Sequence, residues 1–181
     1  KDFNYKKISK VESFPVAKIS GKHAVFISKN KFFLNKKFES EDCESWAVNL
    51  ELDKPLRSSI KSLIEEMFQN YIILDEKLEK SEIEKKGYVS QILFSDFQGV
   101  SNFKTNRNTG NYSITLTTKI KIENSSKSFS NEISSNMIWD KNIFLNCNLK
   151  VGAINSGQKA LDNLVKKIYE TTYESLYQIM K

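Results

Sequence analysis

The sequence predicts an α+β fold, in which a mostly antiparallel sheet of four to five strands carries two helices packed on one face. Two stretches repeat apolar residues at helical spacing, and a long segment between them alternates apolar and polar residues without a fault. The expected order is strand-helix-strand-strand-strand-helix. A chain of 181 residues suits one domain and can bury a substantial core without disulfides.

The last stretch, residues 155–181, predicts the longer helix. Asn155 and Gln158 have the spacing of a capping box, so we expect the helix to begin there. The steps between its apolar residues place them on one stripe, which must be buried against another layer. The members of the stripe are Leu161, Leu164, Val165, Ile168, Leu176 and Ile179.

Residues 53–70 predict the other helix, with Asp53 as its cap and Pro55 in its first turn. Its stripe contains Leu56, Ile60, Leu63, Ile64, Met67 and Phe68. The apolar run 71–74 follows directly and predicts a strand.

Residues 112–122 give the clearest strand, because apolar side chains occupy every second position from Tyr112 to Ile122. Residues 128–139 continue the alternation after a turn. Residues 88–97 and 23–28 are rich in β-branched and aromatic residues and predict two more strands, with Gly99 as an end or a bulge.

Charge divides the chain into a basic flexible N-terminal arm, residues 1–20, and a single α+β domain, residues 21–181. Residues 1–37 contain ten lysines and only two acidic residues, Asp2 and Glu12. These lysines could pair within the molecule with the acidic segment that follows, residues 38–86, or they could equally present a cationic face to phosphate-bearing partners. Arg57 and Arg107 are the two arginines, which makes nucleic acid the weaker alternative, because nucleic-acid sites favour arginine.

Residues 28–46 mix basic and aromatic side chains, and two interpretations remain open. The stretch is either a long loop that packs its aromatic rings on the sheet edge or a surface that meets lipid headgroups or nucleic acid. If it is a binding surface, the candidate ligand-binding residues are Lys29, Lys31, Phe32, Phe33, Lys36 and Lys37.

Sequence motifs for catalysis or cofactor binding are absent, and we expect no enzyme activity, cofactor or metal. His23, the single histidine, opens a predicted strand, where a structural role is more common than a catalytic one. A hydrolase built around His23 is the third hypothesis.

Cys43 and Cys147 could form one disulfide in an oxidising compartment, or remain free thiols in a reducing one.

The order of these segments resembles small bacterial envelope lipoproteins of the lipopolysaccharide-assembly and putative transport-lipoprotein type. The resemblance runs over roughly residues 23–180. It is carried by the strand at His23, the helix at Leu56 that leads into Tyr71, the strand pair from Tyr112 to Trp139, and a closing helix that begins Ser156-Gly157-Gln158.

The resemblance implies a non-enzymatic domain on the periplasmic side of the cell envelope, anchored at the outer membrane through a removed N-terminal lipid anchor. No lipidated cysteine precedes Lys1 in this sequence. Its partner would be an envelope protein or an anionic glycolipid, in envelope assembly or transport. The alternative function is a nucleic-acid-binding domain that uses the Lys-rich N-terminal region.

Overall fold

The fold has seven strands and three helices within the part of the chain that the computed structural model describes, which is residues 17–38, 46–106, 108–142 and 150–181. In chain order they are β1 (Ile19–Ile27), β2 (Phe33–Phe38), β3 (Trp46–Glu51), α1 (Asp53–Met67), β4 (Phe68–Leu74), α2 (Lys80–Lys85), β5 (Ser90–Asn106), β6 (Thr109–Glu123), β7 (Ser128–Asn142) and α3 (Lys150–Met180).

The main sheet has five strands in the order β4-β1-β5-β6-β7. The α+β class is confirmed, but the sheet is mixed, because β1 runs parallel to both β4 and β5 while β5, β6 and β7 are antiparallel. The parallel pairing arises because α1 lies between β1 and β4 in the chain. A helical crossover returns the chain in the same direction as the strand before it.

Helices α1 and α3 cover one side of this sheet, which we call the helix face. A continuous cluster of buried side chains joins the two helices to β1, β5 and β6. Four of its fully buried members are Ile60, Ile92, Ile114 and Leu164. The two predicted stripes therefore supply the layer over the sheet.

A third helix, α2, was not predicted and lies on the opposite side of the sheet. Gln91, which alternates with the helix-face residue Ile92, accepts a hydrogen bond from Leu78 N (2.6 Å) and donates one to Leu78 O (3.1 Å). Ile83 of α2 is fully buried. The charged connection after β4 is therefore fixed to the sheet by a buried amide and one apolar side chain.

The strict alternation of β6 is confirmed, since its even-numbered residues from Tyr112 to Ile122 are all buried. Strand β5 is longer than predicted, with 17 residues. Its ladder is irregular between Ser95 and Gln98, where Asp96 has a φ of 53°. Gly99 is not an end but pairs with Leu116 inside the strand.

Strands β2 and β3 pair in antiparallel register, and we call this pair the hairpin. Residues 33–38 are therefore strand and not loop, while residues 39–45 of the predicted long loop lie outside the described residues. The hairpin packs on the helix face close to two glycines. A Cβ on Gly99 would lie 2.9 Å from Leu34 Cδ2, and one on Gly157 would lie 2.9 Å from Leu50 Cδ1. The missing side chains let the hairpin approach β5 and α3.

Both predicted helix starts are wrong in detail. Asp53 is the first residue of α1 and not its cap, and its carboxylate pairs with Arg57 Nη2 at 2.7 Å. Helix α3 begins at Lys150, five residues before the predicted cap Asn155. Gly152 allows this earlier start, because it packs directly against the Trp139 indole of β7.

Two predictions concern residues that the structure does not describe. One is the possible disulfide between Cys43 and Cys147, and the other is the basic arm at residues 1–20, most of which lies outside the described residues. Strand β1 begins at Ile19, within the last residues of that arm. None of the described helices has a stretch apolar and long enough to cross a membrane.

Candidate docking surfaces

The six candidate ligand-binding residues lie in the β1–β2 connection and in β2 itself. Phe33 is 54% exposed, whereas Phe32 is only 3% exposed and belongs to the core. Phe32 O accepts hydrogen bonds from Leu52 N (2.9 Å) and Asp53 N (3.0 Å). Phe32 thus attaches the hairpin to the start of α1, and the two adjacent phenylalanines have opposite environments.

Strand alternation places Phe33 and Lys37 on the same outward side of the hairpin. Lys29, Lys31 and Lys37 are exposed. We call Lys29, Lys31, Phe33 and Lys37 the hairpin surface. Lys36 pairs in register with Val48, and its side chain is outside the described set.

An ion pair links the hairpin surface to Asp75, the residue that directly follows the C-terminal end of β4. Lys29 Nζ lies 2.6 Å from Asp75 Oδ1. The hydrogen bond from Lys29, helped by its charge, lowers the pKa of the Asp75 carboxyl. Because both side chains are mostly exposed, the pair contributes little to stability and leaves Lys29 able to exchange partners.

His23 is fully buried and has no access to a substrate. One ring nitrogen is 2.9 Å from Ser90 Oγ and the other is 2.9 Å from Ser20 O, and the ring lies against Phe68 with centroids 4.7 Å apart. Burial lowers the pKa of His23, and the bond to Ser20 partly opposes this. A satisfied, buried imidazole of this kind has a structural role.

Metal-ligating side chains do not gather in groups of three or more among the residues that the structure describes. Among the described tyrosines, Tyr112 is the most buried, and burial raises its pKa, while a hydrogen bond with Ser101 acts in the other direction. These two residues lie inside the core, between β5 and β6.

Sequence reasoning missed a groove of about 510 Å³ between β7 and α3. We call it the edge groove. Its charged lining residues are Glu132 of β7 and Lys167, Glu170 and Glu174 of α3. The four-residue step from Glu170 to Glu174 was visible in the sequence, but only the sheet order shows that this helix face lies beside the last strand.

No protein-family model matches the chain, and no curated protein matches it. Among solved structures, the chain is similar to a minor lipoprotein from Acinetobacter baumannii, with 8% identity, 85% of this chain and 91% of that chain covered, and a TM-score of 0.44. It is also similar to a hypothetical protein from Chlamydia trachomatis, with 8% identity, 84% and 96% covered, and a TM-score of 0.34. No family assignment follows from these matches.

Proposed function

We propose that this chain is a non-enzymatic domain of the bacterial cell envelope that docks an anionic glycolipid through its hairpin surface. The observation that carries the proposal is the exposed Phe33 side chain between exposed lysines on a hairpin held rigidly by the core residue Phe32. An aromatic ring beside cationic groups suits the boundary between headgroups and acyl chains.

We expect the binding free energy to come from several weak contacts and not from one deep pocket. A lysine near an anionic membrane surface contributes about 1 kcal/mol. Lys29, Lys31 and Lys37 together would therefore contribute a few kcal/mol at low salt. Lys29 must exchange Asp75 for the ligand, which reduces its share.

The envelope location rests on the sequence resemblance to lipopolysaccharide-assembly and transport lipoproteins. It implies the periplasmic side of the envelope and an N-terminal lipid anchor at the outer membrane. An anchored domain would meet glycolipid at short range, which compensates for weak individual contacts. An envelope protein with an acidic surface is the alternative partner for the same lysines.

Nucleic acid is the less favoured ligand because Arg57 is already engaged. Its Nη2 donates to Asp53 Oδ2 (2.7 Å) and to Asn30 O (3.3 Å). A bidentate phosphate contact through this guanidinium would have to displace at least one of these bonds.

Co-sedimentation with vesicles tests the proposal. Vesicles of phosphatidylcholine alone are compared with the same vesicles containing lipopolysaccharide, at low and at physiological salt. Reversing Lys29, Lys31 and Lys37 to glutamate should weaken binding roughly 100-fold or more, because two to three contributions of about 1 kcal/mol are lost and repulsion replaces them. Phe33→Ala should weaken it further.

The matched control reverses three exposed lysines elsewhere, namely Lys61, Lys104 and Lys127. It has the same net charge as the hairpin variant. Equal binding by the two variants would show that only total charge matters and would remove the hairpin surface as the site. Binding to duplex DNA with a steep salt dependence, and none to lipopolysaccharide, would favour the alternative function.

A further inference from the structure

Strand β7 is the last strand of the main sheet, and none of the described strands pairs with its outer side. It is 15 residues long. Lys167 Nζ donates to Ser134 O at 2.7 Å. Peptide groups of alternate residues point to the same side of a strand, so Ser130, Glu132, Ser134 and Asn136 direct their amide groups outward.

The edge groove runs along this outer side of β7. Its wall contains residues from both sides of the sheet, with Ile133 from the helix face and Glu132 and Ser134 from the opposite face. The other wall is α3, where Lys167, Thr171, Glu174 and Gln178 follow one another at helical spacing. The groove therefore exposes outward peptide groups of β7, with which none of the described strands pairs, beside a helical wall.

The charge of the groove is opposite to that of the whole chain. Three carboxylates, on Glu132, Glu170 and Glu174, face one ammonium group, on Lys167. The chain as a whole has a net charge of +6. A ligand that complements this groove needs both main-chain hydrogen-bonding groups and positive side chains.

We infer that the edge groove binds an extended peptide that carries lysine or arginine at alternating positions and adds to the sheet as a sixth strand beside β7. Main-chain hydrogen bonds to β7 would supply affinity, and the carboxylates would select basic side chains. This surface is separate from the hairpin surface, and the inference does not depend on the glycolipid.

Lys167 occupies one of the acceptor positions that an added strand would use. Its ammonium takes the place of a peptide N–H at Ser134 O. An incoming strand must displace it, and its positive charge opposes a basic ligand. Removing the ammonium should therefore strengthen peptide binding.

The probe is a fluorescent eight-residue peptide of alternating valine and lysine, measured by fluorescence anisotropy with the full chain at low salt. An alternating valine–glutamate peptide and an alternating glycine–lysine peptide test charge and strand propensity separately. We expect the valine–lysine peptide to bind most tightly, with a Kd that rises with salt.

Two groove variants test the site. Glu170→Lys with Glu174→Lys should weaken binding about 10-fold or more, because two favourable pairs become repulsive. The matched control, Glu65→Lys with Glu84→Lys, changes exposed residues of α1 and α2 by the same charge and should leave the Kd within about twofold.

Two further variants complete the test, and Ser130→Pro is the one that tests strand addition itself. Lys167→Met should tighten binding about threefold, since it removes a competing donor and a repulsive charge. Ser130→Pro removes an outward N–H, which an edge strand tolerates, and should weaken binding while circular dichroism stays unchanged.

Equal Kd values for the groove and control charge variants would overturn the inference. So would a valine–glutamate peptide that binds as tightly as the valine–lysine peptide. Concentration-dependent dimerisation that Ser130→Pro abolishes would show that a second copy of this chain occupies the edge, and would also overturn it.

Discussion

Gly152→Ala tests the contact that fixes the start of α3 on the sheet. Gly152 is buried in the first turns of the helix, directly against the Trp139 indole of β7. In an exposed helix interior this substitution would stabilise the protein by about 1 kcal/mol, because alanine is the better helix former. Here the added methyl group would overlap the indole ring, so the helix or the strand must shift.

The expected magnitude combines the two effects. Overpacking a well-filled site costs about 1–3 kcal/mol, which outweighs the gain of about 1 kcal/mol in helix propensity. We therefore expect Gly152→Ala to lower the free energy of unfolding by about 1 kcal/mol. With Trp139→Leu, which opens the space, the same substitution should raise it by up to about 1 kcal/mol. The coupling energy is then about 2 kcal/mol.

Urea unfolding of the four proteins in this double-mutant cycle measures that coupling. Asn155→Ala is the control, because the predicted cap lies inside the helix and is exposed. It should stabilise by a few tenths of a kcal/mol, whereas loss of a true cap would cost about 1 kcal/mol. A stabilising Gly152→Ala with no coupling to Trp139 would refute the packing described above.

Two further predictions concern the core. His23 has a pKa below the ordinary 6.5, so the unfolded chain binds the extra proton first, and stability should fall as pH drops below 6.5; urea titrations at several pH values should show less of this slope in His23→Gln. Phe32→Ala should lower the free energy of unfolding by about 3–5 kcal/mol and Phe33→Ala by less than about 0.5 kcal/mol, because only Phe32 is buried. Equal losses for the two phenylalanines would contradict the described hairpin.

Prediction from the sequence was most accurate for elements in which a single periodicity of apolar residues was undisturbed. From Tyr112 to Ile122, strand β6 alternates because one side meets the core and the other side is polar, and every second residue is buried. The stripe of α3 was predicted equally well, since Leu161, Leu164 and Ile168 are all buried. In both elements the pattern depends on a single neighbouring layer.

The pairing between strands that are distant in the chain could not be predicted from the periodicity of apolar residues. Residues 71–74 indicate a strand but not its partner, and the parallel register of Tyr71 with His23 depends on the path of α1 between them. The start of α3 was missed because residues 150–154 carry no cap signal. That part of the helix instead packs against Trp139 of β7, through Gly152.

The candidate site was predicted in part. The sequence identified the basic and aromatic composition of residues 29–37, but a composition does not show which phenylalanine is buried. Phe32 and Phe33 differ because Phe32 meets Phe97 of β5, with centroids 6.4 Å apart, while Phe33 points away. The sequence contains even less indication of the edge groove, because the two walls of the groove come together only through the position of β7 in the sheet.

Hydrogen exchange with and without lipopolysaccharide vesicles is the most direct measurement of where this domain docks. Binding through the hairpin surface predicts slower exchange of amides in residues 28–38, with no change in β6. Protection that appears only along β7 and α3, or vesicle binding without any change in residues 28–38, would contradict the proposed function.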